Sequence, residues 1–75
     1  MDRDTLDRTI TTLLDEIHSH LSEATRIAKA AQACANAGSV TEGIEVSMDI
    51  EQLIHEAGRL HDAISLLDGM RREST

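Results

Sequence analysis

A chain of 75 residues has room for one domain at most, and with no Phe, Tyr or Trp its core must come from Ile, Leu, Val, Met and Ala. The formal net charge is −7, and the seven basic residues are scattered from Arg3 to Arg72. That balance excludes the concentrated positive footprint and the stacking platforms that nucleic-acid binding needs, and it disfavours an anionic membrane surface.

There is no proline, and there are only four glycines, at 38, 43, 58 and 69. So few breakers point to an all-α chain. The first element is predicted over about residues 3–37, with Asp2 or Asp4 as cap and an acidic first turn that suits the helix dipole. Leu6, Ile10, Leu14, Ile17, Leu21, Ala24, Ala28, Ala31 and Ala35 recur at steps of three and four, an apolar stripe. Leu13, Ile27 and Cys34 run along its flank.

Gly38 is placed as a left-handed helix cap, and Ser39 with Glu42 has the spacing of a capping box. A turn at about 38–39 that short forces the second helix back along the first as an antiparallel hairpin. Helix two is predicted over about 40–68, with the stripe Val46, Ile50, Leu53, Ala57, Leu60, Ile64 and Leu67, widened by Ile54. Gly69 is expected to close it and to leave 70–75 as a frayed tail. Facing residues should then have numbers summing to about 78.

One hairpin has one seam, and a single seam cannot hide every apolar side chain. Each large aliphatic left wet forfeits about 1.5–3 kcal/mol relative to full burial. A second copy is the economical remedy, so the expected assembly is a homodimer forming a four-helix bundle, with Leu13, Ile27, Cys34 and Ile54 at the dimer interface. Ile44, Met48 and Leu66 lie further round helix two and are the expected surface for another protein partner.

Ile17-His18-Ser19-His20 has the look of a metal clip, but on a helix residues two apart point about 200° from each other. His18 and His20 therefore cannot share one ion. Helix pairing brings His61 near Ile17, so one of His18 or His20 could sit within its reach, and His20 and His61 are the candidates for a metal site. Without inward carboxylates beside them, no metal is expected, and both rings are placed at the seam boundary with one edge wet.

Ala57-Gly58-Arg59-Leu60-His61-Asp62 resembles the His-Asp phosphoacceptor box of one subclass of bacterial sensor histidine kinases, and Ile54-His55-Glu56 resembles the His-Glu start of their commoner box. The resemblance covers six residues, and it implies a phosphoacceptor at His61 or His55 on a dimeric helical hairpin. The chain departs from the pattern by carrying the box on its second helix and by lacking a proline after His-Glu.

Cys34, the one cysteine, cannot close an internal disulfide, which fits a reducing cytoplasm; no signal peptide or membrane span is read. With no electropositive setting it is expected to be packing, not a nucleophile. Glu42, Glu45, Asp49 and Glu56 read as a solvated acidic face. No catalytic constellation, cofactor motif or deep pocket is expected. The chain is read as a non-enzymatic, homodimeric interaction or regulatory module. The alternative is a histidine-based ligand, metal or phosphotransfer site on the bundle.

Overall fold

A computed structural model describes residues 1–73. Two helices of 34 residues, α1 (Arg3–Asn36) and α2 (Val40–Glu73), make up the described chain and pack against each other as a hairpin. Of the two candidate caps, Asp2 starts α1. Its carboxylate accepts the Thr5 N–H at 2.8 Å, and that bond holds its carboxyl below the ordinary value. Threonines in the α1 interior are reconciled with the helix by donating to the carbonyl one turn back, as Thr9 does to Thr5 at 2.8 Å and Thr25 to Leu21 at 2.9 Å.

The reversal is a Schellman turn. Gly38 takes φ +94°, the Ser39 N–H donates to the Cys34 carbonyl at 2.9 Å, and the Gly38 N–H donates to the Ala35 carbonyl at 3.0 Å. At the start of α2 it is the Ser39 backbone carbonyl that takes part, accepting from the Gly43 N–H at 3.0 Å. The reciprocal side-chain bonds expected of Ser39 and Glu42 are not among those recorded for the described residues.

The register agrees with the expected sum to within a turn. His20 meets Glu56, and Asp7 meets Arg71 across the open end at 2.5 Å. Near the turn the helices approach closely at Gly43. A β-carbon there would lie 2.8 Å from the Ala31 carbonyl oxygen, closer than such atoms approach, so only glycine fits this level.

The face turned inward differs from the expected one. The apolar residues of α1 that are buried or half-buried are Leu6, Ile10, Leu13, Ile17, Ala24, Ile27, Ala31 and Cys34, with His20 half-buried in the same rows; Leu14, Leu21, Ala28 and Ala35 are exposed. The seam therefore runs through the row predicted to be a flank, and half of the predicted stripe faces out. On α2 the inward row is Gly43, Ile50, Leu53, Ala57, Leu60, Ile64 and Leu67, while Ile54 stays exposed. Helix two also runs past Gly69 to Glu73. The ion pair of Arg71 with Asp7, the pair of Arg72 with Asp68 at 3.1 Å and the fit of two arginines to a helix C-terminus hold residues 70–73 in the helix. The last two residues of the expected tail, Ser74 and Thr75, lie outside the described residues.

The result is a rod with principal extents of 57 × 14 × 12 Å. Its radius of gyration is 17.1 Å, against about 11 Å for a compact chain of this length. Among the described residues, only Leu6, Ala24 and Ala57 are apolar side chains buried outright.

Candidate functional site

The seam repeats every seven residues. On α1 one inner row is Leu6, Leu13, His20, Ile27 and Cys34, and the other is Ile10, Ile17, Ala24 and Ala31. The hairpin therefore has two long edges flanking its seam, and the two differ in chemistry.

The acidic edge carries Glu16 and Glu23 from α1 with Glu42, Asp49 and Glu56 from α2. A cleft of about 320 Å³ on it is lined by Glu16, His20, Glu56, Arg59 and Leu60. The His20 ring lies half-buried in the seam. Its Nδ1 is 2.7 Å from the Glu16 carbonyl oxygen, and its Nε2 is 2.7 Å from Glu56 Oε2. Gln52 Nε2 donates to the other Glu56 oxygen at 2.7 Å. Both oxygens facing the ring are acceptors. A neutral imidazole can donate to only one of them, whereas the imidazolium donates to both. The bond to the Glu16 carbonyl, then that to Glu56, raises the His20 pKa above its ordinary 6.5. The Glu56 pKa falls below its ordinary 4.5 through the Gln52 bond first and the His20 bond second.

The opposite edge carries Leu14, Leu21, Ala28 and Ala35 from α1, and Val40, Ser47, Ile54 and His61 from α2. Leu14 is 51% exposed, Leu21 46%, Ile54 54% and Val40 57%. Toward the open end this edge widens into a cleft of about 610 Å³ lined by residues of both helices, among them Asp7, Thr11, His61, Asp68 and Arg71.

The histidine candidates are thereby separated. His20 lies on the acidic edge and His61 on the apolar one, and His61 is exposed where a half-covered ring was expected. His18 and His55 are exposed on outer surfaces. Among the described residues no group of three or more His, Cys, Asp or Glu could hold a metal ion. Of the expected dimer-interface residues, Leu13, Ile27 and Cys34 are half-buried in the seam of their own hairpin, and Ile54 alone faces out. The row that Leu13, Ile27 and Cys34 occupy is the one the intramolecular seam takes. Among the expected partner-surface residues, Ile44 and Met48 adjoin on the outside of α2, while Leu66 lies about 27 Å further along it.

No match to this chain is found among protein-family models, curated proteins or solved structures. The surfaces themselves must carry any functional reading. No described helix is long and apolar enough to cross a membrane. The Glu56–His20 contact escaped the sequence, where Glu56 read as part of a solvated line. The signal that would have found it is the seven-residue row from Leu6 to Cys34, which contains His20 and sets it in the seam.

Proposed function

We propose that this chain is a non-enzymatic protein–protein interaction module, half of a four-helix bundle that a second copy completes. One observation carries this: the hairpin has more apolar surface than one seam can use. Its accessible surface is 5433 Å² at 8.2 kDa, whereas a globular monomer of that mass exposes about 4,500 Å². On that surface Leu14, Leu21, Ile54 and Val40 stand about half exposed and aligned along one edge. Helices that read apolar on two inner rows and one adjoining row are those of bundles, where each helix meets two neighbours. Such a module acts by occupying another protein surface; the clefts on both edges are shallow and open, unlike the concave pockets in which enzymes enclose substrates.

Sedimentation velocity with interference optics, required by the lack of aromatic absorbance, tests the reading. A species of about 16 kDa, twice the chain mass, is expected at micromolar concentration. A well-folded chain that stays at 8.2 kDa throughout that range would refute it.

A further inference from the structure

The two edges also decide how a second copy would sit. At the hairpin register Leu14 lies across from His61, Leu21 from Ile54, Ala28 from Ser47, and Ala35 from Val40. The apolar edge is thus bulky over the half near the chain ends and small over most of the half near the turn. None of these eight positions carries a full charge, and Asp7, Asp68 and Arg71 come to this edge only at its open end, while the opposite edge holds Glu16, Glu23, Glu42, Asp49 and Glu56 along its length.

We infer that a second copy of this chain docks on the Leu14–Leu21–Ile54 edge with its turn at the opposite end of the rod. This rests on the self-pairing proposed above and adds the surface and the direction. Charge selects the edge. Two chains of −7 each repel, and this side brings fewer carboxylates together than the other, with Glu51 at its rim the one that meets its counterpart near the axis. Shape selects the direction. With turns opposed, the twofold axis passes near Thr25 and Glu51, so Leu14 lies over Ala35 of the second copy, Leu21 over Ala28, and Ile54 over Ser47. Large side chains then enter gaps left by small ones, as close packing requires. With turns at the same end, Leu21 would meet Ile54, and Ala28 would face Ser47 across a void.

Two measurements test edge and direction separately. Leu21→Glu should weaken dimerisation at least about 100-fold, because each dimer loses two apolar contacts. Leu66→Glu, on the outer surface of α2, should leave it unchanged. Combining Leu21→Glu with Ala28→Lys should restore much of the pairing, since the opposite charges then face each other twice across the axis. For direction, a spin label at Asn36→Cys in a Cys34→Ala background should give a label–label distance of about 35 Å, twice its axial offset from the twofold. A wild-type chain that never pairs would sink both the edge and the self-pairing. A dimer that survives Leu21→Glu but not Leu66→Glu would keep the self-pairing and overturn the edge. A distance below about 20 Å would overturn the opposed direction.

Discussion

His20 shows how a single polar residue can occupy a seam at a cost set by pH. Its ring fills a position that Leu6, Leu13 and Ile27 fill elsewhere in the same row, and it is satisfied only while both nitrogens donate. Because its folded pKa is raised, its contribution to stability is full below 6.5 and is lost as pH rises through the raised value. Glu56 runs the other way: its pKa is lowered, so its contribution is present above 4.5 and is lost as pH falls through the lowered value. The pair therefore supports the hairpin best between about those two ordinary values, and the melting temperature should decline from pH 6.5 toward 9. His20→Leu should remove that decline and raise the melting temperature at pH 8, because leucine completes the apolar row without needing a proton. Thermal melts by circular dichroism at half-unit pH steps measure this; equal slopes in the two proteins would rule out the imidazolium.

Glycine gives a second test at the residue scale, in which one substitution has opposite signs at two sites. Helix propensity alone makes Gly→Ala favourable by about 0.8–1 kcal/mol. At Gly58 nothing lies within 4 Å of the added carbon, so Gly58→Ala should gain roughly that amount. At Gly43 the carbon meets the Ala31 carbonyl oxygen, a backbone atom that cannot swing aside, so the helices must part. Overpacking of this kind costs about 1–3 kcal/mol and should outweigh the propensity gain. Urea titration of both variants separates the cases, and a stabilised Gly43→Ala would mean that the close approach is absent in solution.

At the scale of the elements, the turn was legible because its chemistry is local. Gly38 is the residue for a left-handed cap, and the helix does end there at φ +94°. Gly38→Ala keeps the same contacts but forces a side chain into that conformation, so it should cost about 1–2 kcal/mol, read from the same titration. The pairing level was legible too, since a connection of three residues, 37–39, leaves little freedom. The inward face was not. Ile10, Ile17, Ala24 and Ala31 belong to either of two three-four patterns, completed by Leu13, His20, Ile27 and Cys34 or by Leu14, Leu21, Ala28 and Ala35. Apolarity favours the second set because the first contains a histidine. The hairpin takes the first, because Leu13 and Ile27 fill the space between two helices that Ala28 and Ala35 would leave empty. The end of α2 was misjudged for a similar reason. Gly69 is a weak stop in isolation, and the Asp7–Arg71 contact that overrides it joins residues 64 apart.

At the scale of the whole molecule, both apolar rows of α1 make sense together under the proposed pairing: one serves the hairpin and the other would serve the second copy. Net charge then sets the terms of that meeting. In the proposed dimer two chains of −7 would approach against their own field, and Glu51, at the rim of the apolar edge, would meet its counterpart near the twofold. Apolar burial must overcome this repulsion, so screening should help. Raising the ionic strength from 0.05 to 0.5 M shortens the Debye length from roughly 14 Å to about 4 Å and should tighten the dimer on the order of threefold or more. A basic protein bound to the acidic edge would respond in the opposite sense, loosening as salt rises. Sedimentation equilibrium of the pure chain across that range reads the sign directly. Glu51→Gln should reduce the salt response by removing the closest like-charge pair; a dimer that weakens with added salt would show that attraction between charges, not the shared aliphatic edge, holds the copies together.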